Sequence, residues 1–296
     1  MLIEVEQLTK TYHQQHAVDH INLNIHENQC VALLGPNGAG KTTTLKMLSG
    51  LLSPTSGRIQ FLGKSSIDKQ FIGYLPQHPS FCSWMTAEEY LLFSGTLSKL
   101  TKKQVKEKMK EVLQIVGLEH AKNKKISGFS GGMKQRLGLA QAVIHEPKFL
   151  ILDEPVSALD PSGRRDVLNI MDELKKKMTI LFSTHVLHDA EQVCDDIIML
   201  KDGKVKWFGS LQKLKEAHQE ETFLLSTFES LKQWLDNLEY VQNITYFQTS
   251  KAEFKLIESK YRNRLIEDCI KAGLTILHFE QRSQSLEDVY MEVMGQ

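Results

Sequence analysis

The sequence predicts an α/β fold: a mainly parallel sheet with helices packed on it, followed by a smaller α+β unit. Three observations carry that prediction. Short apolar runs alternate with segments of helical period between residues 30 and 183. A glycine-rich loop, Gly35–Thr42, joins one such run to a helical stripe. Near residue 210 the text changes to a Lys/Gln/His/Glu-rich stretch, and shorter elements follow it.

In chain order, alternating strands are expected around Leu2–Leu8 and Ile21–Ile25, and a buried strand at Cys30–Leu34. The helix after the glycine loop, Thr42–Leu52, carries Leu45, Leu48 and Leu52 on one stripe. Ser53-Pro54-Thr55-Ser56-Gly57 is a turn leading to a strand at Arg58–Leu62, and a further strand, Ile72–Leu75, ends at Pro76-Gln77. From Met85 to about Asn123 the pattern is helical: Thr86 and Glu89 form a capping box, Val105, Met109, Val112, Leu113 and Val116 form a stripe, and Gly117 stops it. A helix near Ser130–His145, the strand Phe149–Leu152, a helix at Gly163–Lys177 and the strand Thr179–Ser183 complete the alternation.

Beyond the connector Gln212–Glu221, strand Thr222–Thr227 and helix Leu231–Leu238 are expected, then strands at Val241–Gln248 and Glu253–Ile257. Helix Arg262–Ala272, strand Leu274–Glu280 and a last helix from Leu286 follow. The first six of these run β-α-β-β-α-β, the order of a ferredoxin-like split βαβ domain, with an irregular α+β appendage as the alternative.

A chain of 296 residues suggests about two domains. Its 41% hydrophobic and 24% charged residues are those of an ordinary globular protein, and zero formal charge gives no reason to expect a nucleic-acid partner. The lysines between Lys99 and Lys110 interleave with Glu107 and fit a solvated helix face. Cys30, Cys82, Cys194 and Cys269 are scattered, which argues against a zinc site or disulfide framework and suits a reducing compartment. Met1–Glu6 alternates like a strand rather than a signal peptide, and no apolar run approaches the ~18 residues that span a bilayer. Any membrane role would need another polypeptide to do the spanning.

The loop Gly35-Pro36-Asn37-Gly38-Ala39-Gly40-Lys41-Thr42 matches the phosphate-binding pattern G-x-x-x-x-G-K-[ST] between a strand and a helix. Glycines let the backbone wrap phosphates closely, while amides and the helix N-terminus face the charge. Lys41 would reach the β- and γ-phosphates and the Thr42 hydroxyl would ligate Mg²⁺. Phe149–Leu152 delivers Asp153 and Glu154 to the carboxyl edge of the sheet, where ligands bind in open α/β folds. Asp153 suits Mg²⁺, and Glu154 is placed to orient and deprotonate a water. His185 closes the strand Thr179–Ser183 on the same edge, in reach of a γ-phosphate. Ser130-Gly131-Gly132 opens a helix as a second anion cradle, which a dimer would place over the partner's nucleotide.

Together these motifs resemble the ATP-binding subunit of a bacterial ABC transporter across roughly residues 1–210. The resemblance implies a P-loop NTPase fold for residues 1–212, with a helical subdomain at about 85–145 and an antiparallel β-subdomain, and an accessory domain at 213–296. It implies ATP and Mg²⁺ as ligands. Tyr12 resembles the residue that stacks on adenine; Lys41, Thr42 and Thr43 match the phosphate and Mg²⁺ contacts. Gln77 matches the glutamine that senses Mg²⁺ and the water, Asp153 the metal carboxylate, Glu154 the catalytic base and His185 the γ-phosphate switch. Ser130–Gln135 resembles the signature that binds ATP in trans, and Ser157-Ala158-Leu159-Asp160 the loop linking two sites. The usual L-S-G-G-Q reads Phe129-Ser130-Gly131-Gly132-Met133 here, and Met133 lacks the hydrogen bonds of an amide.

The ending Ser285-Leu286-Glu287-Asp288-Val289-Tyr290 is similar to that of exporter ATPases with separate membrane subunits. The implied function is ATP hydrolysis that drives export through an integral membrane permease. A second ATPase subunit, identical or related, would complete the sites, at the cytoplasmic face of the cell membrane. The alternative is a soluble ABC ATPase of translation or DNA repair; one cassette, neutral charge and no zinc or coiled-coil insertion weigh against it. A non-catalytic nucleotide-gated module is the third reading, and Glu154 weighs against that.

Overall fold

The computed structural model describes residues 1–157, 159–217, 221–283 and 286–295. Ala158, Ser285 and three residues of the Gln212–Glu221 connector, all named above, lie outside them. The chain divides into two compact units, Met1–Leu211 and Gln212–Gln296.

The first unit begins with β1 (Ile3–Tyr12) and β2 (Gln15–Ile25), which pair antiparallel and form a three-stranded sheet with β4 (Ser56–Phe61). Both strands run further than their alternation predicts. Positive φ at Gln7 and His20, with the accompanying register shifts, breaks the two-residue period that marks a strand. β3 (Cys30–Leu34), buried at every position, precedes the glycine loop and α1 (Lys41–Leu48). Leu45 and Leu48 are buried as their stripe requires. The helix stops short of Leu52 because Gly50 turns left-handed at φ 69°, after which the amides of Leu51 and Leu52 fold back onto Lys46 O.

β5 (Ile72–Leu75) leads into a helical region, α2 (Ala87–Leu97), α3 (Lys102–Ile115) and α4 (Gly131–Val143). The Thr86–Glu89 capping box forms in full, and a second one, Thr101 with Gln104, starts α3. Tyr90 Oη donates to Gln141 Oε1 at 2.8 Å, tying α2 to α4.

β6 (Phe149–Leu152), α5 (Pro161–Leu174), β7 (Thr179–Thr184), α6 (Leu187–Val193), β8 (Asp196–Lys201) and β9 (Lys204–Ser210) close the unit. The main sheet has six strands in the order β5-β6-β7-β3-β8-β9, parallel except for the β8–β9 hairpin. α6 and that hairpin were not anticipated from the sequence. Asp202-Gly203, with positive φ at both residues, is the turn signal that could have found the hairpin. β3 and β6 are apolar throughout, as two-sided burial demands, while β7 keeps Thr179, Ser183 and Thr184 at its ends. Their carboxyl ends gather the loop after β3, Asp153 after β6 and His185 after β7.

The second unit contains most of α7 (Leu211–Ala217), then β10 (Glu221–Thr227), α8 (Lys232–Asp236), β11 (Val241–Gln248), β12 (Lys251–Leu256), α9 (Tyr261–Lys271), β13 (Ile276–Ser283) and α10 (Leu286–Met294). Its antiparallel sheet runs β11-β12-β10-β13, so the two β-α-β units interleave. Phe223, Leu225, Phe254, Leu235 and Leu265 build its own core. Among the described residues no helix is long and apolar enough to cross a membrane.

Candidate functional site

The glycine loop owes its path to two glycines. At Gly40 φ is 101°, and a Cβ there would sit 2.3 Å from Ala17 O. At Gly35 a Cβ would lie 2.3 Å from Leu200 O in β8. Gly203 N donates to Ala39 O at 3.1 Å, and Asp19 N to Gly203 O at 2.8 Å. The β2 backbone and the β8–β9 turn therefore brace the loop from behind, and no side chain fits between.

Lys41 turns back into the loop: its Nζ donates to Gly35 O at 2.8 Å and Pro36 O at 3.1 Å. It also stands 3.8 Å from Glu154 Oε1. Burial lowers its pKa, opposed by the charges of Glu154 and Asp153.

Asp153 and Glu154 follow β6 at the point where the strand leaves the sheet. Asp153 is buried, and its Oδ1 accepts from the Thr42 hydroxyl at 3.1 Å and from the Ser183 hydroxyl at 2.8 Å. Ser183 Oγ in turn accepts from Glu154 N at 2.8 Å. This hydrogen bond holds Glu154 in a left-handed conformation, φ 47°, a cost borne at functional turns. The Glu154 carboxylate then meets three groups: Gln77 Nε2 donates to Oε2 at 3.1 Å, while Lys41 Nζ and His185 Nδ1 stand 3.8 and 3.5 Å from Oε1. One carboxylate thus faces the loop, the end of β5 and the end of β7.

The remaining predicted residues lie elsewhere. Tyr12 is exposed at the end of the β1–β2 hairpin, with Lys10 Nζ 5.4 Å from its ring centre. Thr43 follows Thr42 in the first turn of α1. Ser130 is the N-cap of α4 and accepts from Met133 N at 3.2 Å; a Cβ on Gly131 or Gly132 would meet nothing within 4 Å. Asp160 caps α5, accepting from Gly163 N at 3.3 Å. None of the named hydrogen bonds joins Ser130 or Asp160 to the cluster around Glu154.

Two residues make contacts that the sequence reading does not assign to them. Ser183 was seen only as part of a strand end, yet it couples both carboxylates. Gln135, buried in α4, donates from Nε2 to Pro155 O at 2.7 Å and links the start of α4 to the turn after Glu154. A polar residue among the apolar ones that α4 buries is the signal.

Comparison with known proteins places this geometry. The ABC transporter family profile matches residues 18–157, and that of the "ATP-binding protein DrrA1-3-like, C-terminal domain" matches residues 209–294. The chain is 56% identical to the uncharacterized ABC transporter ATP-binding protein YxlF of Bacillus subtilis, over 99% of both chains. It is 34% identical to the bacitracin transport ATP-binding protein BcrA of Bacillus licheniformis, over 99% of this chain and 97% of that one. Among solved structures, an ATP-binding subunit of an ABC transporter aligns with TM-score 0.66 and 33% identity, covering 73% of this chain and 93% of its own. A dimeric post-hydrolysis ATP-binding cassette, MJ0796 bound to ADP and Pi, aligns with TM-score 0.65 and 26% identity, covering 71% and 99%.

Proposed function

Because this chain belongs to the ATP-binding proteins of ABC transporters, and is thus a transporter ATPase subunit, we propose that it pairs with a second ATPase subunit around two ATP molecules and drives export through a separate membrane permease. The observation that carries the reading is the convergence of Lys41, Gln77 and His185 on the Glu154 carboxylate beside the loop Gly35–Thr42.

In this reading the loop amides and Lys41 bind the β- and γ-phosphates, and Tyr12 offers its exposed ring to the adenine. Glu154 accepts the proton of the attacking water; Gln77 orients that carboxylate, and His185 contacts the γ-phosphate. The Thr42 hydroxyl and the Asp153 carboxylate, 3.1 Å apart, are hard oxygen donors of the kind Mg²⁺ takes, with Gln77 close by. Bound there, Mg²⁺ would neutralise phosphate charge. Among the described residues no cluster of three or more His, Cys, Asp or Glu could hold a metal unaided. This fits an ion that shares its coordination with phosphates and water.

The dimer is supported by the signature at Ser130–Gly132, which shares no named hydrogen bond with the Glu154 cluster, and by the dimeric relative bound to ADP and Pi. Asp160 would lie where the two subunits meet. The export direction rests on the likeness of Ser285–Tyr290 to the corresponding segment of exporter ATPases with separate membrane subunits. On this reading the chain works at the cytoplasmic face of the membrane, held there by its permease.

The test is Glu154→Gln. Turnover is expected to vanish while ATP binding persists, and the purified variant should elute as a dimer in ATP and a monomer without it. The same variant, expressed with any neighbouring gene product that carries several apolar spans of about 20 residues, should co-purify with that product. Near wild-type turnover would sink the base assignment, and an ATP-independent monomer with no membrane partner would sink the transporter dimer.

A further inference from the structure

His185 is a poorly held side chain in an otherwise tied site. It is 51% exposed, and its one named partner is Glu154. The imidazole therefore takes its position from its backbone, the turn between β7 and α6. That turn is fastened to one residue, Asp189, through its buried carboxylate on one side of His185 and its backbone N–H on the other. Asp189, 0% exposed in the first turn of α6, receives Arg164 Nε on Oδ1 and Arg164 Nη2 on Oδ2, each at 2.6 Å. Thr184 Oγ1, one residue before His185, donates to Asp189 Oδ2 at 3.4 Å and accepts from Val186 N, one residue after His185, at 3.0 Å. Asp189 N donates to Val186 O at 3.3 Å.

Burying a carboxylate is costly, and an ion pair in its place contributes little to stability; what a bidentate fork supplies is fixed geometry. Arg164 belongs to the first turn of α5, where its own amide donates to Asp160 O at 2.9 Å. Glu154, Ser157, Arg164, Thr184, His185 and Asp189 all line one small cavity of about 140 Å³. The fork thus spans the loop before α5 and the turn that carries His185, at the wall of the hydrolytic site.

We propose that Arg164, Asp189 and Thr184 are positioning residues that set the His185 imidazole against Glu154 and the γ-phosphate. The proposal rests on the reading of His185 as a γ-phosphate contact.

Thr184→Val is isosteric and removes only the hydroxyl; Asp189→Asn removes the charge that matches the fork; Arg164→Lys keeps charge without the fork. Each is expected to lower kcat about tenfold or more, as displacement of an active-site group does, with KM for ATP within twofold of wild type. The His185 imidazole cross-peak in a histidine-labelled NMR spectrum should shift in Thr184→Val at a temperature where both proteins are fully folded. His185→Ala is the control. If it leaves turnover intact, His185 has no catalytic role and the proposal falls with it. If it abolishes turnover while Thr184→Val and Asp189→Asn keep kcat within twofold, the γ-phosphate reading stands and the positioning proposal alone is overturned. A fall in kcat with an unmoved His185 resonance also overturns it. Should Asp189→Asn fail to fold, Thr184→Val decides.

Discussion

Ser183 and Asp153 are joined by a 2.8 Å hydrogen bond, and the oxygen that donates it also accepts the backbone N–H of Glu154. One hydroxyl thereby sets the proposed Mg²⁺ carboxylate and the backbone of the proposed base at the same time. Ser183→Ala leaves a partly buried N–H unmatched and frees Asp153. A stability loss of about 1–3 kcal/mol is expected, together with a drop in turnover that outlasts any temperature correction. Thermal melts paired with kcat at several temperatures check this; an unchanged kcat would mean Asp153 and Glu154 hold themselves.

Gly40→Ala forces a Cβ to 2.3 Å from Ala17 O at a φ of 101°. The strain is of order 1–3 kcal/mol and falls on the loop itself, so ATP affinity should fall about tenfold or more while the rest of the fold survives. Nucleotide titration by fluorescence, with circular dichroism alongside, reads both. Gly38→Ala is the comparison: φ there is also positive, but nothing lies within 4 Å, so its effect should be smaller.

Ser130→Arg places a long cation at the N-cap where α4 begins. ATP binding to the single subunit should be unchanged, whereas ATP-driven dimerisation in a Glu154→Gln background should be lost. Size-exclusion chromatography in ATP separates these, and an intact dimer refutes the trans role of the signature.

Three of the four cysteines are buried, and burial raises their thiol pKa values: Cys194 to about 12, Cys269 to about 11 and Cys30 well above the usual range. These thiols stay protonated at neutral pH and out of reach. Titration of the native protein with a thiol reagent at pH 7.5 (about one unit below an ordinary thiol pKa) should modify Cys82 alone, the others reacting only after denaturation. Native modification of Cys194 would contradict its burial.

The site was legible where chemistry concentrates into short runs. Gly35–Thr42, Asp153-Glu154 and His185 each sit at the end of an apolar strand, and that pattern alone puts them on one sheet edge. What stayed hidden depends on long-range packing. Asp189 is one acid among several near α6 in the sequence, and only folding pairs it with Arg164. The β8–β9 hairpin escaped although Asp202-Gly203 signals it, because the alternation of Lys204-Val205-Lys206-Trp207 is cut short by Phe208-Gly209. Gln7 and His20 show the reverse problem, where bulges shift the register inside strands that are present.

The bracing of the phosphate loop by Leu200 and Gly203 bears on how the protein is made. The loop leaves the ribosome early, but the backbone against which Gly35 packs is translated only at the end of the same unit. A nascent chain that stops before β8 carries the whole nucleotide-binding motif without the wall that shapes it. Contacts so distant in sequence form late, so competence to bind ATP arrives with the completed unit.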